Sequence, residues 1–264
     1  MSEPATQPLL RLDIVTRRFG GLVAVSDVSF EIRPGEVKGL IGPNGAGKST
    51  TFDLITGVRP PTSGDIWFRG ERVTSQPAHT RSPKGMARTF QIVRLFRGLS
   101  VLENVQLGLH PKFPDGLFRS LIQFGSLRAQ EKESRERAME VLAFVGLADR
   151  AGHSIEELTL GQLRLVDIAR AIAADPVLLM LDEPAAGLND AETRNLGDMI
   201  ALLKTRGLSM LLVEHDIDFI MNACDSIVVM DHGTKIADGT PAEVSRNPDV
   251  IAAYIGRRAT HAAA

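Results

Sequence analysis

The apolar, strand-like run Glu36–Ile41 passes directly into Gly42-Pro43-Asn44-Gly45-Ala46-Gly47-Lys48-Ser49-Thr50, and the helix-forming stretch Lys48–Thr56 begins inside that loop. No other feature of the chain narrows its fold as much. The loop fits G-x-x-x-x-G-K-[ST], and a strand before it with a helix after it is the setting this spacing requires. Glycines let the backbone curl until successive N–H groups point inward, which makes an anion nest at the positive end of a helix. Such a nest holds phosphate. Lys48 is placed to reach β- and γ-phosphates, and the Ser49 hydroxyl is a ligand for Mg²⁺. A functionless glycine-rich turn could carry the same letters, but it has no need of the strand–loop–helix order.

A phosphate loop that uses Mg²⁺ needs a carboxylate on a neighbouring strand. Val177–Leu181 supplies five apolar residues followed by Asp182 and Glu183. A buried strand ending in two acids delivers both to the carboxyl edge of its sheet, where ligands bind. Asp182 then suits Mg²⁺, usually through water, and Glu183 suits an attacking water. A buried strand with a polar end is common, so this motif gains its meaning from the loop.

The chain has 264 residues, enough for one large α/β domain. With 44% hydrophobic and 23% charged residues it is an ordinary globular composition, which excludes global disorder. Thirty Lys and Arg against 32 Asp and Glu leave a net charge of −2, and no basic surplus calls for nucleic acid as the main partner. The single cysteine, Cys224, removes any disulfide framework and any cysteine-based zinc site. The longest apolar runs fall far short of the roughly 18 residues a membrane span needs. Residues 1–8 and 257–264 read as flexible tails.

Alternation predicts half-buried strands at Leu10–Thr16 and Val25–Ile32, and a further strand at Asp65–Arg69. Between about Arg88 and Leu158 the texture becomes charged and helix-forming, so a helical insertion is expected there. Helices are then predicted at Gln162–Ala174, Ala191–Thr205 and Ile217–Cys224, interleaved with strands at Val177–Leu181, Met210–Val213 and Ser226–Asp231. Apolar strands alternating with helices imply an α/β fold with a mainly parallel sheet covered on both faces.

These motifs, with Leu158-Thr159-Leu160-Gly161-Gln162 ahead of a helix, resemble the ATP-binding cassette family and its signature loop. The resemblance implies a nucleotide-binding core with an N-terminal antiparallel β subdomain, from residues 9–90 and 163–256. It implies a helical subdomain at 91–162, within a single domain of 9–256. In that family the signature loop binds the γ-phosphate of ATP held by the opposite subunit, which would involve Thr159, Gly161 and Gln162. Thr159 keeps the hydroxyl of the family's serine. Leu160 replaces its first glycine, and a leucine resists positive φ.

The resemblance further implies roles for Gln91, as a lever touching Mg²⁺ or the attacking water, and for His215, as a switch at the γ-phosphate. Phe19 stands where an aromatic stacks on adenine, with Val25 as apolar support. Asn189 stands where the family has aspartate. Within the family the chain is most similar to the ATP-binding subunit of branched-chain amino-acid importers. Arg88-Thr89-Phe90-Gln91, Val101–Val105, Val213-Glu214-His215-Asp216 and Gly233–Val244 carry that likeness. It implies ATP and Mg²⁺, a second ATPase subunit of the same or a related chain, two membrane-spanning permease subunits and a substrate-binding protein. The location implied is the cytoplasmic face of the cell membrane, with membrane contact only through partners.

Leu117, Phe118, Leu121 and Ile122 suggest an apolar helix face, either packed on the core or offered to those partners. Three alternatives stay open. A lipopolysaccharide exporter has a similar cassette, usually with a shorter middle connection. A non-transport relative acting on nucleic acid would carry long heptads or a second cassette, and neither is visible. A small-molecule kinase would not need the signature loop or His215.

Overall fold

The computed structural model describes residues 7–89, 94–112 and 124–261. In chain order the strands and first helix are β1 (Leu10–Phe19), β2 (Leu22–Ile32), β3 (Val37–Ile41), α1 (Lys48–Thr56), β4 (Ser63–Phe68) and β5 (Glu71–Arg72). Then come α2 (Ala78–Arg81), β6 (Met86–Arg88), α3 (Val101–Gln106), α4 (Phe124–Phe144) and α5 (Leu160–Ala173). The remainder is β7 (Leu178–Asp182), α6 (Asp190–Thr205), β8 (Ser209–Val213), α7 (Ile217–Ala223), β9 (Ser226–Asp231), β10 (Thr234–Gly239), α8 (Pro241–Val244) and α9 (Pro248–His261).

Among the described residues two sheets form. The first is antiparallel, in the order β2-β1-β4-β5; the second runs β10-β9-β3-β8-β7-β6 and is parallel except for the edge strand β10. The central strands are continuous apolar runs because both of their faces are covered. In β7, Leu178 and Met180 pack with the antiparallel sheet and α1, while Leu179 and Leu181 pack with the helices on the other side. In β8, Leu211 and Val213 face the first side, and Met210 and Leu212 the second. Alternating side chains therefore tie the β layer to the helical layer through a single sheet.

Lys38 on β3 places a charge in the middle of the sheet. It is buried, and its ammonium bonds to Asp238 Oδ1 at 3.0 Å, with Glu36 Oε1 at 3.6 Å. Cys224 is buried and unbridged, and burial pushes its thiol up to about 12. No helix among the described residues is long and apolar enough to cross a membrane.

The structure departs from the sequence reading in places. The C-terminal helix α9 continues to His261, so the expected tail from 257 is helical that far; residues 262–264 and 1–6 lie outside the described residues. Helix α5 starts at Leu160 and runs unbroken across the division read between 162 and 163. The sequence pattern marks no strand at β5, β6 or β10. The apolar face at Leu117, Phe118, Leu121 and Ile122 lies outside the described residues.

Candidate nucleotide site

The parallel register places the motif-bearing loops at one level. Leu40 on β3 and Asp182 on β7 are both register partners of Val213 on β8, one on each side of it. The phosphate loop, Asp182-Glu183 and Glu214-His215 therefore leave the same carboxyl edge from three adjacent strands, each about 4.8 Å from the next.

Positive φ shapes the loop at Gly42 (152°), Gly45 (81°) and Gly47 (99°). Two of these glycines are also enforced by space. A Cβ on Gly42 would meet the Met230 carbonyl oxygen at 2.1 Å, and one on Gly47 the Ala24 carbonyl oxygen at 2.5 Å. The Ala46 N–H donates to Pro43 O at 3.1 Å, and Gly233 N–H donates to Ala46 O at 3.1 Å, so β10's turn closes the loop from behind. Gly47 caps α1 with no side-chain bond, which leaves the amides of the first turn to face the nest. The Lys48 ammonium bridges the mouth, donating to Gly42 O at 2.7 Å and Pro43 O at 3.1 Å. Asn44 and Ser49 are exposed, and Thr50 is half-buried.

Asp182 is nearly buried at the strand end. Burial raises its pKa, opposed first by the Arg88 guanidinium. Its amide donates to Thr89 Oγ1 at 3.3 Å, and the Thr89 amide donates to Met180 O at 2.9 Å, so the segment that leads to Gln91 starts pinned against Asp182. Gln91 itself lies outside the described residues. Glu183 has φ 48°, and its amide donates to Val213 O at 2.8 Å. The His215 side chain is 63% exposed at the edge of this group.

Phe19 ends β1 half-exposed, its ring flanked by the guanidiniums of Arg17 at 4.7 Å and Arg59 at 5.4 Å. Val25 is fully buried, so it braces the sheet from within and presents no surface of its own.

The signature loop is elsewhere. Thr159, Gly161 and Gln162 line a cleft with Leu188, Glu192 and Asn195, and none of the phosphate-loop residues borders it. Thr159 caps α5 in a reciprocal box with Gln162: Thr159 N–H donates to Gln162 Oε1 at 3.0 Å, and Gln162 N–H to Thr159 Oγ1 at 3.3 Å. Leu160 is the first helical residue, so the positive φ that a leucine resists is not asked of it.

Two charged residues bear on the site without having been read as members of it. Arg88 donates to Asp53 Oδ1 and Thr56 Oγ1 of α1, both at 3.1 Å, lies 3.9 Å from Asp182 Oδ2, and covers the Phe52 ring at 4.9 Å. It fastens the helix after the phosphate loop to the strand that carries Asp182. Arg81 is fully buried among carbonyls, donating to Leu54 O at 2.9 Å, Ile55 O at 2.6 Å and Val73 O at 2.6 Å. It thus caps the carboxyl end of α1, and burial lowers its pKa to about 10.

A phosphate nest, a lysine at its mouth and two acids at the end of β7, with β8 between, define a nucleotide-hydrolysing cassette. The chain belongs to the ABC transporter family, whose profile matches residues 25–186, and a profile for the branched-chain amino acid ATP-binding cassette transporter matches 234–260. It is 43% identical over 252 residues to the high-affinity branched-chain amino acid transport ATP-binding protein LivG of Escherichia coli (strain K12), covering 95% of this chain and 99% of that protein. It is 42% identical over the same length to BraF of Pseudomonas aeruginosa, which carries the same description.

Among solved structures, a nucleotide-free ATP-binding cassette from an ABC transporter superposes with a TM-score of 0.82 at 30% identity, covering 94% of this chain and 99% of that one. A dimeric post-hydrolysis cassette bound to ADP and Pi gives 0.75 at 26% identity, covering 88% and 98%. The chain is an ATPase of this class.

Proposed function

We propose that the chain is the motor that energises uptake of branched-chain amino acids, or of a related small polar solute, through separate permease subunits. It would work at the cytoplasmic face of the membrane, together with a substrate-binding protein. The substrate class rests on the names of the relatives and on the C-terminal match at 234–260.

The observation that carries the mechanism is the separation of two half-sites. The phosphate loop sits at one carboxyl edge, while Thr159, Gly161 and Gln162 open on a different cleft. We read the two as halves of one composite site, which a second ATPase subunit completes. The γ-phosphate then bridges the two copies and its removal releases them.

Within each half-site the Gly42–Thr50 amides and Lys48 cradle the phosphates, and Phe19 offers its ring to adenine. Glu183 orients the attacking water and His215 contacts the γ-phosphate. Asp182 and Ser49, with Gln91, offer oxygen ligands alone. That suits Mg²⁺, a hard cation that takes few protein ligands and completes its shell with phosphate oxygens and water. Held by these residues, such an ion would supply positive charge against the charge that develops on the transferring phosphoryl group.

Partners find a surface between the two layers. A groove of about 570 Å³ is lined by Val58, His79, Arg94, Phe96 and Leu107, with Phe96 58% exposed. We assign the permease contact to it.

The test is a pair of variants. Lys48→Ala should lose nucleotide binding, because the contact to β- and γ-phosphates goes. Glu183→Gln should bind ATP, cleave it very slowly and accumulate as a nucleotide-bound dimer on size-exclusion chromatography. Normal ATP binding by the first, or wild-type turnover by the second, would overturn the assignment of the site.

A further inference from the structure

Glu214 is a buried acid to which the proposed chemistry gives no task. It is 1% exposed at the end of β8, and burial raises its pKa, opposed by the amides of Ala185 and His215. Both oxygens are committed to main-chain donors. Oε1 accepts the Ala185 N–H at 2.7 Å, across 29 residues of sequence, and Oε2 accepts the His215 N–H at 3.2 Å. The His215 ring is close too, with Nδ1 at 3.7 Å from Oε2.

These bonds matter because of where they fall. Glu183 holds φ at 48°, a left-handed conformation that L-residues with long side chains avoid and that persists only where neighbours over-determine it. Its own amide is fixed by Val213 O, one residue before Glu214. The next amide to be fixed outside its own turn is that of Ala185, and Glu214 fixes it. The left-handed turn carrying Glu183 is therefore gripped on both sides from β8, and the same carboxylate sets the start of the His215 loop. An apolar residue would fill this position at less desolvation cost, but would leave both amides without acceptors.

We propose that Glu214 is a positioning residue for hydrolysis, which holds the Glu183 turn and the His215 loop in mutual register without touching the nucleotide. This rests on the roles given above to Glu183 and His215. The chemistry depends on the placement of two groups toward one phosphoryl, so losing the register lowers turnover and leaves ground-state binding alone.

Five full-length proteins test it: wild type, Glu214→Ala, Glu214→Gln, Glu183→Gln and the Glu183→Gln/Glu214→Ala double variant, with fluorescent ATP binding and steady-state hydrolysis measured on each. In Glu214→Ala, kcat should fall by roughly ten- to a hundredfold while nucleotide Kd stays within about twofold. Glu214→Gln keeps one acceptor oxygen and loses the other, so its kcat should lie between, about three- to tenfold below wild type. Combined with Glu183→Gln, the Glu214→Ala change should cost clearly less than it does in the wild-type background, because the part of its effect that acts through Glu183 is already gone. A merely structural role would lower binding and turnover together and add in full to Glu183→Gln.

Wild-type kcat in the Glu214 variants, a parallel loss of Kd, or full additivity would overturn the proposal. Should Glu214→Ala not fold, Glu214→Gln, which matches the native side chain in size, decides on the same criteria. If Glu183→Gln turns over like wild type, the reading of the whole site has failed; if only the Glu214 variants do, that reading stands and this inference falls.

Discussion

Gly161 shows how a family motif is maintained by what it touches. A Cβ there would meet the Glu192 carboxylate, Oε1 at 2.4 Å and Cδ at 2.7 Å. Glu192 cannot easily give way, since its Oε2 accepts the Asn189 N–H at 3.0 Å and so closes the cap of α6. The signature helix and the loop after Glu183 are thereby packed backbone to cap. Leu160, the departure from the family's glycine, packs on the same loop: its Cδ2 lies 2.8 Å from where a Cβ of Gly187 would be, and Gly187 itself holds φ at 78°. Gly161→Ala should therefore push Glu192 aside and cost about 1–3 kcal/mol, the usual range for overpacking. In thermal unfolding the variant should melt lower. A single copy should still bind ATP with native affinity, since the phosphate loop does not border this cleft, and hydrolysis should fall because the opposing half-site is deformed. Loss of nucleotide affinity by the monomer would contradict the separation of the half-sites.

The elements show the same economy at their ends. Helix α6 begins with a reciprocal box, in which Asn189 Oδ1 accepts the Ala191 and Glu192 N–H groups at 3.0 Å each. The resemblance leads one to expect aspartate here, and capping explains the tolerance, because asparagine and aspartate cap about equally well. Asn189→Ala should lower stability by about 1 kcal/mol, a melting shift of roughly 2–4 °C for a chain of this class, and Asn189→Asp should leave it nearly unchanged. Differential scanning calorimetry checks both.

The elements that could be read in the sequence are those whose signal is local. Lys48–Thr56 and Ser226–Asp231 have the bounds their patterns give, and β7, α6 and β8 agree within a residue. Strand β6 has only three residues, too few for alternation, and β10 is a half-exposed edge in which Lys235 and Asp238 interrupt any apolar pattern. The site divides in the same way. Lys48, Asp182 and Glu183 are legible because loop and strand end are each contiguous in sequence. Arg88 and Glu214 were quoted as letters of motifs, but their work depends on Asp53, 35 residues away, and on Ala185, 29 away. Such pairings come into being only when β6, β7 and β8 lie side by side.

At the scale of the molecule, one sheet joins the nucleotide edge to the surface where partners are proposed to bind. Arg88 stands at that junction: it reaches Asp182 and α1, and it also lines the groove that holds Phe96 and Leu107. Phe96 is held by its backbone, with its amide donating to Asn104 Oδ1 at 2.8 Å and its carbonyl accepting from Asn104 Nδ2 at 3.2 Å. Its ring is thus presented by a fixed loop and owes nothing to its own core packing. Covering such a side chain contributes about 1.5–3 kcal/mol, or roughly ten- to a hundredfold in affinity. Phe96→Asp should leave the melting temperature, ATP binding and basal hydrolysis of the isolated chain near native. In a membrane preparation with the permease subunits it should co-purify at least about tenfold less well and lose transport. Undiminished co-purification with transport intact would place the permease contact on another face of the molecule.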